Sequence, residues 1–322
     1  MRQDILDFLV QHQGEFVSGQ EISEHLGISR TAVWKHIRIL KQRGYVIESY
    51  TKKGYCLKEV PELLSERAIE KGLTTKVVGR RLVLRERVDS TNNVAKKLAA
   101  DGAPEGTVVI AEEQTGGRGR ISRSFLSPYA KGLWFSLILR PPIPPMEVSK
   151  MTLLAAVATA RAIRRHGLTE CGIKWPNDIL VKGRKLVGIL TELNGSAEKV
   201  NYLVMGIGVN TGITEDDLPE DLKPIITSFA REGVAVSRIA LLQTLLAEIE
   251  HLYAAVCREG FAPVLAEWRS LSCMLGSKVT VTSIDRTFSG TAADIDENGN
   301  LLIDTASGRE VVMAGDIHVR QV

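Results

Sequence analysis

The chain has little of what would mark it as secreted, membrane-bound or metal-built. Only four of its 322 residues are cysteine, at positions 56, 171, 257 and 273. They form no CxxC pair and have no histidines at ligand spacing, which argues against zinc and against any fixed metal site. Scattered thiols in a chain of this size read as a reduced, cytoplasmic protein. No run approaches the ~20 apolar residues of a membrane span. The first residues lack the basic start and long apolar run of a secretory signal, since Asp7 interrupts the stretch Ile5 to Val10. Excess charge is also missing: the net charge is +3, too small to argue for a nucleic-acid partner by itself. Two phosphate-binding patterns fail. There is no GxxxxGK[ST], and Gly117-Arg118-Gly119 is followed by Ser122 where GxGxxG needs a third glycine. What remains is an ordinary globular composition, 44% hydrophobic and 25% charged, with room for two or three domains.

The charge is unevenly spread. Arg30, Lys35, Arg38, Lys41, Arg43, Lys52, Lys53 and Lys58 are opposed between positions 30 and 58 only by Glu48. Ile5, Leu6, Leu9 and Val10 recur at helical spacing. A second helix is expected from about Gln20 to Leu26, ended by Gly27. A third is capped by Ser29, carries Val33, Ile37 and Leu40 on its apolar stripe, and ends at Gly44. Helix, glycine turn and capped helix make a helix-turn-helix over Gly19 to Arg38. Its third helix turns Arg30, Thr31, Trp34, Lys35 and Arg38 outward, donors that suit phosphate oxygens and base edges. Tyr45–Tyr50 and Tyr55–Leu57 read as strands joined at Thr51 to Gly54, a basic wing that presents Lys52 and Lys53. A three-helix packing module would also fit the helices, but not the basic wing. Glu59 to Glu62, with Pro61, reads as a linker.

From Leu82 the pattern changes to short strands alternating with helices. Strands are expected at 82–88, 108–111, 133–139, 179–181, 187–193 and 202–209, and helices at 90–100, 148–166 and 237–257. Because several strands are consecutive, the expectation is an α+β mixed sheet with helices on one face. Asp89-Ser90-Thr91-Asn92 opens a helix, where Ser90 or Asp89 can cap or the free N–H groups can bind a polar ligand. Gln114 to Phe125 is a loop with three glycines and three arginines. Its glycines would let backbone N–H groups approach a phosphate, and its guanidinium forks would chelate phosphate or carboxylate oxygens. Gly206-Ile207-Gly208-Val209-Asn210 ends a strand with small residues, which implies close approach to a ligand or another strand. An acidic loop follows, with Glu215, Asp216 and Asp217. Four short strands between Lys278 and Met313, with a turn at Asp296 to Gly299, fit a small barrel.

Three motifs resemble one known family, the biotin protein ligases, and within it the bifunctional ligases that also repress the biotin operon. They are Gly117-Arg118-Gly119-Arg120-x-x-Arg123, Lys174-Trp175-Pro176-Asn177-Asp178, and Arg184-Lys185-Leu186-x-Gly188. The run Ser18 to Ile37 and the wing Lys53-Gly54-Tyr55 are similar to the same family, so the resemblance covers essentially the whole chain. It implies a winged helix-turn-helix over 1–60, a class II synthetase-like ligase domain over 65–270 and an SH3-like β-barrel over 273–322. It implies biotin binding by Ser90, Thr91, Asn92, Gln114, Arg118, Gly119, Arg120 and Lys185, and catalysis by Arg118, Arg120, Lys185 and Asp178. Arg123, Phe125, Asn177 and Asn210 fall on the nucleotide side, and Asp178 matches an acid that helps the acceptor lysine lose its proton. The family's loop carries a third glycine and a tryptophan where this chain has Ser122 and Phe125.

The resemblance further implies biotin and ATP as substrates, Mg²⁺, and a biotin carboxyl carrier protein of acetyl-CoA carboxylase as acceptor. It also implies operator DNA and a homodimer favoured by the adenylate, with no membrane partner. Two other readings stay open: a ligand-sensing transcription factor without catalysis, and a lipoate ligase sharing the adenylate chemistry.

Overall fold

The computed structural model describes residues 2–121, 123–282, 286–314 and 318–321. Its contacts divide into two compact units, residues 1–63 with 129–131, and residues 64–128 with 132–322.

In the first unit, helices α1 (Arg2–Gln11), α2 (Gly19–Leu26) and α3 (Arg30–Gln42) precede a hairpin of β1 (Val46–Tyr50) and β2 (Gly54–Glu59). Ser18 and Glu21 form a reciprocal capping box at the start of α2. Gly27, at φ 64° and ψ 32°, ends α2, and the Ser29 hydroxyl accepts a hydrogen bond from the Ala32 amide at 3.2 Å to start α3. Ile5, Leu9, Ile22, Val33, Ile37, Leu40 and Leu57 are fully buried between the helices and the hairpin. Val17 adds an antiparallel bridge to Tyr55, and a Cβ on Gly54 would stand 2.1 Å from the Val17 carbonyl oxygen.

The second unit contains α4 (Glu66–Lys71), β3 (Arg81–Val88), α5 (Thr91–Ala100), β4 (Thr107–Gln114), β5 (Gly132–Leu139) and α6 (Val148–Arg165). These are followed by β6 (Gly172–Lys174), β7 (Asp178–Val181), β8 (Arg184–Gly195), β9 (Val200–Asn210), α7 (Arg238–Glu259) and α8 (Ala262–Leu271). The strands form one seven-stranded sheet in the order β3-β4-β5-β9-β8-β7-β6, antiparallel except for β3 beside β4. The expected mixed sheet is present, but its helices are not confined to one face. Val108 and Ile110 point into the main core with α4, α6, α7 and α8. Val109, between them, points the other way and packs with Ile138, Val204 and the Ala95 and Ala99 side of α5. Period-two alternation on β4 thus serves two layers, because both faces of the strand are apolar. Helix α7 is long and apolar enough by composition to cross a membrane, yet Leu241, Leu242, Leu245, Leu246 and Ile249 are all fully buried in this core.

The last strands, β10 (Lys278–Thr282), β11 (Thr287–Ile295), β12 (Leu301–Thr305), β13 (Gly308–Val312) and β14 (His318–Gln321), form a five-stranded antiparallel sheet in the order β13-β12-β11-β10-β14. It is fastened to the main core through its Asp296–Gly299 turn. The Trp175 indole, 2% exposed, donates to the Gly299 carbonyl at 3.0 Å.

A buried ion pair joins the start of α7 to β4. Arg238 Nη1 lies 2.7 Å from Glu112 Oε2, and also donates to the Gly132 carbonyl. The Leu64 amide donates to Glu112 Oε1 at 2.8 Å. Removing Glu112 would leave the buried Arg238 charge without this carboxylate. Glu112→Ala is therefore expected to destabilise this unit by about 3–5 kcal/mol, measured by denaturant unfolding. A loss below about 1 kcal/mol would mean that Arg238 finds water or another acceptor.

Candidate functional site

The site stands on a sheet face stripped of side chains. Pairing places Gly132 opposite Asn210, Trp134 opposite Gly208 and Ser136 opposite Gly206, and then Gly208 opposite Gly188 and Gly206 opposite Leu190. Directly opposed residues share a face, so Gly132, Gly188, Gly206 and Gly208 leave adjoining gaps on one side of the sheet. Neighbouring side chains fill them. A Cβ on Gly208 would meet the Phe125 ring at 2.5 Å, and one on Gly188 the same ring at 2.8 Å. A Cβ on Gly206 would lie 2.1 Å from Asn92 Oδ1. The Gly206–Gly208 pair signalled close approach in the sequence. Its neighbours are the side chains of Asn92 and Phe125.

Two connected depressions lie above this floor. The inner one, a slot of about 40 Å³, is lined by Ser90, Thr91, Asn92, Gln114, Arg118, Gly119, Phe125, Asn177 and Lys185, with Gly188, Gly206 and Gly208 beneath. The outer one, a groove of about 660 Å³, is lined by Gln114, Gly119, Arg120, Arg123, Phe125, Asn177, Asp178, Lys185 and Asn210. Every residue that the sequence singled out for small-molecule binding or catalysis lines one or both. Ser122, one of the two departures from the family loop, lies outside the described residues. Phe125 is one of the walls common to both depressions. Its ring meets Trp134 edge-on at 5.8 Å between centroids, and the Lys185 ammonium stands 5.6 Å from its centre.

The arginine loop is folded into a hairpin. Gln114 bridges Ser127 and Arg118 bridges Ser124. The Gly116 amide donates to the Asp89 carbonyl at 2.8 Å and the Gly119 amide to the Arg123 carbonyl at 2.7 Å. These two N–H groups are spent within the chain, so they are not the phosphate cradle that the glycines implied. Gly117 has a different reason: a Cβ there would lie 2.3 Å from the Phe125 carbonyl oxygen. The loop's binding capacity rests on its guanidinium groups. Arg118 donates to Asn93 Oδ1, and Asn93 in turn donates to Asp89. That hydrogen bond from Asn93 is the main reason the Asp89 carboxyl is held below its usual pKa, with a smaller contribution from Arg118. Arg120 Nη1 lies 3.5 Å from Asn177 Oδ1.

The helix start is capped unexpectedly. Ser90 is at the N-cap of α5 but makes no capping hydrogen bond with its side chain. Gln114 Oε1 takes that place, accepting from the Thr91 amide at 2.8 Å. The Ser90 hydroxyl therefore faces the pocket without a capping task.

Lys185 and Asp178 form an ion pair at 2.7 Å across the β7–β8 hairpin. The backbone of Lys185 also holds the acidic loop: its amide donates to the Ile225 carbonyl at 2.7 Å, and its carbonyl accepts from Thr227 at 2.9 Å. Asn210 Nδ2 donates to the Thr227 carbonyl at 3.0 Å, while its buried Oδ1 has no hydrogen-bond partner. The loop is less acidic than its composition implies. Ile213 and Leu218 are buried against Trp134 and pack with Phe125, Leu222 and Ile226. Glu215 pairs with Arg231. Those apolar contacts escaped the sequence reading because the residues have no regular spacing.

In the first unit, Arg30, Thr31, Trp34, Arg38 and Lys52 line one cleft between α3 and the hairpin. Lys35 and Lys53 are exposed outside it. The Arg38 guanidinium stacks 5.2 Å from the centre of the Trp34 ring, which is 51% exposed.

Because the Phe125 ring needs the ground at positions 188 and 208, Gly208→Ala must displace it. We expect a loss of about 1–3 kcal/mol in thermal unfolding of this unit, with a change in Trp134 fluorescence. Unchanged melting and emission would show that the ring shifts freely.

Comparison with known proteins agrees with this layout. The HTH domain model matches residues 1–56, the biotin/lipoate A/B protein ligase family model residues 84–210, and the biotin protein ligase C-terminal domain model residues 274–320. The chain is 42% identical over 320 residues to the bifunctional ligase/repressor BirA of Bacillus spizizenii, covering 99% of this chain and 98% of that one. It is 31% identical over 307 residues to BirA of Escherichia coli K12, covering 95% and 94%. The structure of biotin protein ligase from Aquifex aeolicus in complex with biotin and ATP matches with a TM-score of 0.65 at 26% identity, covering 76% of this chain and all of that one. With a helix-turn-helix unit, a ligase sheet and the family's C-terminal sheet in one chain, this protein belongs to the bifunctional biotin protein ligase–repressor family.

Proposed function

We propose that this chain activates biotin with ATP as biotinoyl-5'-AMP and transfers the biotinoyl group to a lysine of a biotin carboxyl carrier protein. In a second role, the adenylate-bound chain represses biotin genes. The observation that carries the ligase reading is the paired slot and groove, which share Gln114, Gly119, Phe125, Asn177 and Lys185. In this reading the slot takes the ring and acid tail of biotin and the groove takes the nucleotide, with the reacting carboxylate and α-phosphate meeting at Lys185.

A carboxylate is a poor acyl donor, so it first displaces pyrophosphate from ATP to give a mixed anhydride. That step gathers negative charge on the carboxylate, the α-phosphate and the leaving group. Arg118, Arg120, Arg123 and Lys185 offset their repulsion by position and charge. Lys185 exchanges Asp178 for the reacting oxygens. Asp178, released from its ion pair, is then available to take a proton from the acceptor lysine as that amine attacks the carbonyl and AMP leaves. Asn177 and Asn210 serve the nucleotide, and the loop packed over Phe125 keeps water from the anhydride.

Among the described residues lining the groove, Asp178 is the single carboxylate, and it is paired. The groove therefore does not fit a protein-held Mg²⁺, which would arrive on the ATP phosphates. No cluster of three or more metal-ligating side chains occurs among the described residues.

For the repressor role, α3 with Arg30, Thr31, Trp34, Lys35 and Arg38 enters the major groove of operator DNA, and Lys52 and Lys53 contact its backbone. A homodimer favoured by the adenylate spans two half-sites. Four free thiols are consistent with work in the cytoplasm.

The test is incubation with biotin, ATP, Mg²⁺ and a carrier-protein domain, read as a mass shift on the carrier, with lipoate as comparator. Arg120→Ala or Lys185→Gln should each slow labelling roughly a hundredfold, about 3 kcal/mol. Full labelling by both variants would refute the electrostatic role. On operator DNA, Lys52→Ala with Lys53→Ala should lower affinity and make it less sensitive to salt, the slope falling by about 1 for each phosphate no longer neutralised. An unchanged salt slope would remove the wing from the interface.

A further inference from the structure

A row of oxygens shared between the wall of the inner slot and Ser136, buried behind it, is one proton short. Four oxygens stand in a row: Gln114 Oε1, Thr91 Oγ1, Ser136 Oγ and Asn92 Oδ1, separated by 3.0, 2.7 and 2.6 Å in turn. Each contact needs a hydrogen between its oxygens. The row contains two, on the hydroxyls of Thr91 and Ser136. Both amide nitrogens point away from it. Gln114 Nε2 donates to Ser127 Oγ at 2.9 Å. Asn92 Nδ2 donates to the Leu190 carbonyl at 3.2 Å and to Glu192 Oε2 at 2.7 Å.

Turning the Asn92 amide over would supply the missing hydrogen by placing Nδ2 beside Ser136. The same turn would set its carbonyl oxygen against a backbone carbonyl and a carboxylate, neither of which can donate. The carboxylate is the stronger obstacle, because it is charged. It is itself fixed by Lys96, whose ammonium lies 2.7 Å from Glu192 Oε1. Neither Lys96 nor Glu192 lines the slot.

We infer that Glu192, braced by Lys96, is a positioning residue: it locks the Asn92 carbonyl toward the slot, and so makes the wall an acceptor that selects rings carrying N–H donors. The inference rests on the reading that the slot takes the ring of biotin. A ligand N–H can donate to the Asn92 carbonyl, whereas a ring of the same shape with oxygens in place of its N–H groups sets lone pairs against it. A carboxylate one residue behind the wall thereby sets which ring the enzyme accepts, without touching it.

The experiment compares binding of biotin, of an analogue with its ring N–H groups replaced by oxygen, and of ATP to the full chain. The chains compared are wild type, Glu192→Ala and Glu192→Gln. Wild type should prefer biotin to the analogue. Glu192→Ala should weaken biotin about tenfold, leave the analogue and ATP unchanged, and so erase most of the preference. Glu192→Gln still presents a carbonyl oxygen to Asn92 Nδ2 and should retain most of the biotin affinity. An undiminished preference in Glu192→Ala, or equal losses for biotin and ATP, overturns the inference. Failure of the wild type to bind biotin at all refutes the assigned function, and the inference with it.

Discussion

A side chain at position 208 would stand where the Phe125 ring now lies, and one at position 206 would stand where Asn92 does. Much of the site follows from those two exclusions. The central strands β4, β5 and β9 are otherwise largely apolar on both faces, and a continuous floor of valine and isoleucine would have packed against a helix. Glycine at 188, 206 and 208 stops that packing partway. Helix α5 covers the Val109–Ile138–Val204 ground and ends where the glycines begin. Its N-terminus, Asn92 and the Phe125 ring then come close to the bare backbone, and a ligand can lie where a helix would otherwise continue.

Onto this apolar ground the chain brings cations that must not be neutralised permanently. Its buried charges are paired firmly: Arg238 with Glu112, and Glu232, whose side chain is 2% exposed, with Lys182 and Arg184. Lys185 differs. Its partner Asp178 lies on the facing strand and on the groove wall, so one ion pair can be exchanged for a ligand without stranding a charge in the core. Lys185 is also bound by its backbone to Ile225 and Thr227, which ties the covering loop to the strand that carries this cation.

Much of this was legible in the residues. The caps at Ser29 and Gly27, the wing turn ending in Gly54 and the long helices α6 and α7 declare themselves, because each depends on contacts within a few residues. The loop and strand motifs named the lining side chains because specific spacings carry them. Layering was misread: Val109 between Val108 and Ile110 shows no polar–apolar alternation, so nothing local says that α5 lies on the opposite face. Helix α4 was missed because six residues carry too little periodicity. The roles of the loop glycines were also hidden. Whether an amide faces a phosphate or a carbonyl of its own chain depends on where the Arg118–Ser124 crossing falls, and on Asp89, twenty-seven residues before Gly116. The Glu192–Asn92 contact joins a helix to a distant strand, and no motif announces it.

The central claim is that this glycine-floored, cation-rimmed site forms and holds an acyl-adenylate. Exchange of labelled pyrophosphate into ATP measures formation of that anhydride without any acceptor protein. The account predicts exchange that requires biotin and ceases in its absence. No exchange with biotin present, or exchange equally fast without it, would contradict the account.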